Sequence, residues 1–266
     1  MKSKSNTIIF VVLFVLMILF LSPIFIVLMN SFKGQFYIAD APFVLPDART
    51  YVGLKNYVNG VAKINFFHAF GYSLFITVGS VLVIVLFTSM TAWYIARIKT
   101  KFTSMIVPFQ MVMFTMSKVA NVLHLDNPLG IIVIYLGFGA GLSVFMFSGF
   151  IKSIPREIEE AAIIDGCTPL QTFFRIVFPI LRPTAITVAI LNTMWVWNDY
   201  LLPYLLIGNK YRTIPIAIQY LQGGYGSRDM GALMAMLVLS IVPIIVFYLS
   251  SQRQIIEGVV AGAVKG

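Results

Sequence analysis

Charge is what this sequence most lacks. Of its 266 residues only 11% are Asp, Glu, Lys or Arg, against roughly 25% in an ordinary soluble domain, so a water-soluble globule of this size is excluded. Acids are scarcer than bases, 10 against 19, which leaves a net charge of +9. Cysteine is reduced to Cys167 alone, and one thiol cannot make an intramolecular disulfide scaffold. Internal repeats and low-complexity tracts are also missing, which argues against arrays and disorder. What is present is apolar: 59% hydrophobic residues, 23 Phe and 13 Met, with a mean hydropathy of +0.91. That composition suits a chain whose surface is solvated by lipid. In such a chain the positive charge reflects Lys and Arg held in cytoplasmic loops rather than a nucleic-acid partner.

A helix needs about 20 predominantly apolar residues to cross a bilayer. Stretches that meet this predict an all-α polytopic membrane protein, a single transmembrane domain over 1–266 with six spans near 8–30, 68–96, 103–123, 129–151, 184–207 and 231–251. The third span is the most polar, with Gln110, Lys118 and Asn121 inside it. The first begins like a signal peptide at Lys2 and Lys4, but its apolar run is too long and no small-residue cleavage site follows, so it reads as a retained helix. Arg97-Ile98-Lys99-Thr100-Lys101 is the strongest topological anchor, because cations near span ends stay cytoplasmic. Both termini and the segment 152–183 are then inside, and the loops 31–66 and 208–230 are extracytoplasmic. The first of these loops, with Pro42 and Pro46, reads as irregular and partly interfacial.

The inside segment carries two helix signatures in series. Pro155 suits a first turn, and Glu157, Glu159 and Glu160 follow where negative charge favours the helix N-terminus. Gly166 supplies a stop. Thr168-Pro169-Leu170-Gln171 is a capping-box pattern that opens a second amphipathic helix, ended by Pro179. The expected object is helix, glycine elbow, helix. Ala161 and Ala162 leave a low surface that another backbone can approach, and Phe173 and Phe174 are large apolar groups in a segment facing the cytosol. Docking into a partner and packing on the chain's own helices both remain open for them.

Glu160-Ala161-Ala162, Gly166 after three intervening residues, Ile176 after nine more, and then Pro179 resemble the EAA motif of ATP-binding-cassette importer permeases, with Phe178 in place of the usual Leu. Asp165-Gly166, Trp197-Asn198-Asp199, Thr213-Ile214-Pro215 and the C-terminal run from Glu257 are similar to the maltose-type carbohydrate permeases, specifically the six-helix partner of the pair. The resemblance implies a subunit of a prokaryotic inner-membrane importer, half of a pore working by alternating access. Its partners would be a second permease subunit, two ATPase subunits and an extracytoplasmic binding protein. It implies that the substrate is a carbohydrate or, in sister systems, glycerol-3-phosphate. It also implies that ATP and Mg are bound by the ATPase chains and that this chain holds no cofactor or metal. In agreement, no G-x-x-x-x-G-K-[ST] phosphate loop occurs in the sequence.

By the same resemblance the elbow is a coupling helix, with Glu160, Ala161, Ala162, Asp165, Gly166, Ile176 and Pro179 as its residues. Glu160 has two readings, a partner for a basic group on the ATPase and a helix-dipole charge. The tail residues Glu257, Gly258 and Lys265 are assigned to ATPase contact, with a disordered tail as the alternative; Gly258, Gly262 and Gly266 permit tight packing or sharp turns there. Gln222, Gly223, Gly224 and Tyr225 form a candidate binding-protein loop, the alternative being an ordinary glycine-rich turn. Asp199 is the one acid inside a span and so marks a site. On a straight helix from Pro183 it falls toward the outer end, about 24 Å along, which favours a structural or gating role with Trp197 and Asn198 over a proton relay, with a place on the substrate path in direct contact with sugar as the alternative. A secondary transporter would be expected to show several such acids, and an enzyme a cluster of nucleophilic or metal-ligating residues.

Overall fold

The computed structural model describes residues 2–97, 120, 122–208, 210–222 and 229–263. The described residues are almost entirely helical, with one isolated antiparallel bridge between Lys33 and Tyr51. In chain order the helices are α1 (Lys2–Asn30), α2 (Gln35–Asp40), α3 (Lys55–Ile64), α4 (Phe66–Arg97), α5 (Pro128–Ile151), α6 (Arg156–Ile164), α7 (Pro169–Ile180), α8 (Arg182–Asn198), α9 (Leu201–Leu206), α10 (Ile214–Gln219) and α11 (Met230–Ala263). Among the described residues four helices are long and apolar enough to cross a bilayer, Thr7–Asn30, Phe66–Arg97, Pro128–Ile151 and Met230–Gln252, and the bent pair Pro169–Ile180 with Arg182–Asn198 makes a fifth when taken as one broken span. The expected span 103–123 lies almost wholly outside the described residues. Backbone contacts divide the chain into two units, Met1–Ala69 with Ile216–Pro243, and Phe70–Pro215 with Ile244–Gly266.

In the first unit, the segment after α1 is a built object rather than the irregular loop expected from its prolines. Asn56 of α3 is buried, and its amide donates to the carbonyls of Ser31 (2.8 Å) and Lys33 (2.7 Å). Lys33 is itself buried, with Nζ donating to Ala41 O at 2.8 Å. Burial pulls that ammonium below the usual lysine range, with Asp47 pulling the other way. Tyr57 meets the Ser31 hydroxyl at 2.7 Å and packs its ring on Phe32. These bonds satisfy the carbonyls of Ser31, Lys33 and Ala41 in the segment that follows α1, and none connects near neighbours in sequence, which is why no local pattern announced them.

In the second unit α4, α5 and α8 pack around Ile76, Ile84, Ile131, Tyr135, Phe147, Val188 and Val196. Two glycines set how closely they approach. A Cβ on Gly79 would lie 2.6 Å from Ile132 Cδ1, and one on Gly139 would lie 2.6 Å from Ile84 Cδ1, the small-residue packing that membrane helices use in place of a hydrophobic driving force. The entry to α5 is fixed by Asn127, whose side chain accepts from Leu129 N (3.0 Å) and Gly130 N (2.9 Å).

Two expectations need correction. The stretch 184–207 is not one straight helix: α8 ends at Asn198, Asp199 is extended (ψ 123°), and α9 starts afresh at Leu201. The tail after Gln252 does not turn at Gly258 or Gly262, while Gly266 lies outside the described residues. The α11 backbone runs helically through Gly258 and Gly262 to Ala263, since a glycine within a helix costs only about 1 kcal/mol against alanine.

Candidate functional site

The segment 152–183 forms the helix, elbow and helix its sequence foretold. α6 ends in a closed C-cap: Cys167 N donates to Ala162 O at 2.9 Å and Gly166 N to Ile163 O at 3.0 Å, the paired bonds of a Schellman turn. Gly166 has φ +84°, and a Cβ there would meet nothing within 4 Å. Backbone conformation, not space, therefore selects glycine. The capping box closes as expected, with Thr168 N donating to Gln171 Oε1 (2.9 Å) and Gln171 N to Thr168 Oγ1 (3.4 Å).

Pro179 does not end α7. The helix widens through a π-helical turn over Phe173–Val177, continues to Ile180, and bends by 77° into α8. Proline lacks an N–H and crowds the carbonyl four residues back, and the wider turn accommodates that defect. Ile176 is half-buried within this turn.

The motif residues separate onto two faces. Ala162 and Phe173 are buried, Phe173 packing on Trp93, Phe174 and Phe178. That burial contributes roughly 1.5–3 kcal/mol. Glu160, Ala161 and Asp165 are exposed, beside the exposed Ile163, Ile164, Leu170 and Phe174. Packing on the chain's own helices thus holds for Phe173, while Phe174 touches Phe173 and Phe178 and remains 45% exposed.

The residue that sequence reasoning passed over is Glu159. It is 8% exposed, its Oε2 accepts from Trp93 Nε1 at 3.0 Å, and its carboxylate receives Arg97 through Nε (3.0 and 3.2 Å) and Nη2. Arg97 Nη2 also donates to Ile154 O at 3.2 Å. The first turn of α6 is thereby bound to the last turn of α4 by a charge-assisted fork. A helical-face signal existed, since Glu159 shares the face of buried Ala162, but the partner stands 62 residues away.

Asp199 is placed by the break it makes. Oδ2 accepts from Tyr135 OH at 3.0 Å, and Oδ1 from Leu202 N at 3.3 Å at the start of α9. Its expected partner Asn198 instead donates back to Met194 O at 2.7 Å, and Trp197 is buried edge-on to Phe70. The three are neighbours in sequence and do not form a hydrogen-bonded group. The fourth motif also acquires a partner: Ile214 N donates to Ser73 Oγ at 2.8 Å.

Among the candidate loop residues, Gln222 is exposed, while Gly223, Gly224 and Tyr225 lie outside the described residues, as does Lys265. Glu257 and Gly258 are in α11. The loop's two ends meet where Asp229 N donates to Leu221 O at 3.2 Å. Asp229 also caps α11 through Ala232 N (3.0 Å) and pairs with Lys63 of α3. Burial alone would raise the Asp229 carboxyl; the Lys63 hydrogen bond, the Ala232 N–H and the Lys63 charge together hold it below the ordinary carboxylate range. A depressed acid stabilises fully above its unfolded value near pH 4 and loses that contribution as pH falls through the folded value. Asp229→Asn should therefore narrow stability slightly at pH 7, by about 0.2–1 kcal/mol for so exposed a pair. The gap from wild type should begin to shrink below about pH 4 and vanish only below the lowered folded value, read as melting temperatures of the purified assembly.

The family described as the binding-protein-dependent transport system inner membrane component matches residues 2–259. The chain belongs to this family. It is 40% identical over 262 residues to the probable starch degradation products transport system permease protein AmyC of Thermoanaerobacterium thermosulfurigenes, covering 94% of each chain. It is 34% identical to the multiple sugar-binding transport system permease protein MsmG of Streptococcus mutans, covering 93% of each. It is 30% identical to the melibiose/raffinose/stachyose import permease protein MelC of Bacillus subtilis, covering 92% of this chain and 91% of that one. Its fold matches a chain in the crystal structure of a bacterial ABC transporter involved in the import of alginate, with a TM-score of 0.76 at 20% identity over 95% of this chain and 96% of that one. The elbow and the fork between Glu159 and Arg97 are thus features of an importer's permease subunit.

Proposed function

We propose that this inner-membrane component forms half of the pathway through which an ATP-driven importer carries a carbohydrate. Six spans with both termini in the cytoplasm, one partner permease, two ATPase subunits and an extracytoplasmic binding protein complete the reading. Relatives named for starch degradation products, multiple sugars and raffinose-type sugars support the substrate class. The observation that carries the mechanism is the elbow. Its exposed face offers Ile163, Ile164, Leu170 and Phe174 beside Glu160, an apolar knuckle with a charge at its edge that suits a cleft in another protein. Its buried face is bound to α4 through Glu159 and Arg97. A push on the knuckle therefore reaches α4 through the fork, and α8 through the 77° bend after α7. ATP and Mg belong to the ATPase chains, and this chain contributes no catalytic group.

The test is reconstitution. The purified chain alone should hydrolyse no ATP. With its partner permease, ATPases and sugar-loaded binding protein in liposomes, hydrolysis should appear together with sugar uptake. ATP turnover by the isolated chain, or uptake by the chain without ATPases, would overturn the reading.

A further inference from the structure

A groove of about 310 Å³ opens midway along α5 and α8, lined by Phe138, Gly139, Leu142, Leu191, Asn192 and Trp195. That volume lies at the small end of ligand pockets, enough for one or two sugar rings. Among its described lining residues Asn192, only 6% exposed, brings the one side-chain amide. The amide Nδ2 donates to Ser143 Oγ (3.2 Å) and Val188 O (2.8 Å), and among the described residues no hydrogen bond reaches Oδ1. An amide oxygen left without a donor inside an apolar span is unfavourable, so the position calls for a donor from outside the chain. Gly139 keeps the place open, since a Cβ there would lie 2.8 Å from that same Oδ1. Trp195 is held edge-on by Tyr135 and at a steep angle by Phe138, yet is 37% exposed. A fixed, partly open indole beside an orphan acceptor has the two contacts a pyranose uses, a ring face for its C–H surface and an oxygen for a hydroxyl.

We infer that this groove is a sugar subsite belonging to this subunit, selective for neutral rings. Among the described residues no Asp, Glu, Lys or Arg lines it, so a carboxylate or phosphate would enter without a counter-charge and be excluded. The inference rests on the carbohydrate reading above. It adds that this chain touches the substrate directly and that acidic sugars do not use this contact.

The test uses the complete importer in liposomes with maltotriose and raffinose as neutral probes and glycerol-3-phosphate as the anionic one. Asn192→Leu removes the acceptor, and Trp195→Leu removes the ring from a partly exposed site; copurification of all subunits reports folding. Each change should raise KM for the neutral probe that wild type carries by about tenfold, the weight of one hydrogen bond or stacked ring. Wild type should carry glycerol-3-phosphate poorly. Unchanged KM in both variants overturns the subsite, as does preferred uptake of glycerol-3-phosphate by wild type. Loss of the partner permease on copurification would assign the groove to the subunit interface instead, and also overturns it. A wild-type importer that carries none of the probes and no other carbohydrate would refute the underlying functional reading rather than the groove.

Discussion

Arg97→Ala should lower uptake by the assembled importer at least tenfold and destabilise the subunit by about 3–5 kcal/mol, the usual consequence of stranding one member of a buried ion pair. Glu159 would keep only Trp93 Nε1 as a donor, and its charge would stay where water reaches it poorly. Two effects are combined in that loss, and a second variant separates them. Replacing the pair by apolar groups of similar size, Arg97→Met with Glu159→Leu, should recover most of the stability, because buried ion pairs are frequently no more stabilising than packed side chains. Uptake should remain low in the double variant, because apolar contact does not hold α6 at a fixed angle to α4 as three directed hydrogen bonds do. The readouts are melting temperature and sugar carried per ATP hydrolysed. Wild-type uptake per ATP in the double variant would show that the fork is structural and that α4 is not driven through it.

This pair marks where sequence reading stops. Features encoded by neighbours in the chain were legible: the helix stop at Gly166 and the capping box from Thr168 to Gln171 both follow from residues a few positions apart. Features made by distant partners were not. The EAA pattern drew attention to Glu160, which is exposed, and away from Glu159, whose partners lie on another helix. The segment after α1 carries its order in Asn56 and Lys33, whose bonds reach residues far along the chain or pass through a buried ammonium. Hydrophobic periodicity cannot announce either. Asp199 was legible as a site and illegible as geometry: an acid in an apolar run signals an unusual requirement, but only the structure shows the requirement to be a helix break shared with Tyr135 and Leu202.

Gly166→Pro should leave the subunit inserted and associated while nearly abolishing uptake, and a graded series at this position shows why. Gly166 sits at φ +84° with open space around a would-be Cβ, so Gly166→Ala meets only the left-handed penalty of about 1–2 kcal/mol. Gly166→Asn should be milder still, because asparagine tolerates that conformation. Proline violates three requirements at once. Its φ near −65° cannot follow the turn, it deletes the N–H that bonds Ile163 O at 3.0 Å, and it disfavours the near-helical conformation of Asp165 (φ −71°, ψ 3°). The capping box, which opens two residues on at Thr168, is untouched, so α7 should still form while its angle to α6 is lost. Uptake is then expected to fall in the order wild type, Asn, Ala and, far below, Pro, with ATP hydrolysis no longer stimulated by the loaded binding protein in the last. Should the proline variant track the alanine one in both measurements, the angle between α6 and α7 is not what carries the motion. Coupling would then have to pass through the exposed knuckle alone.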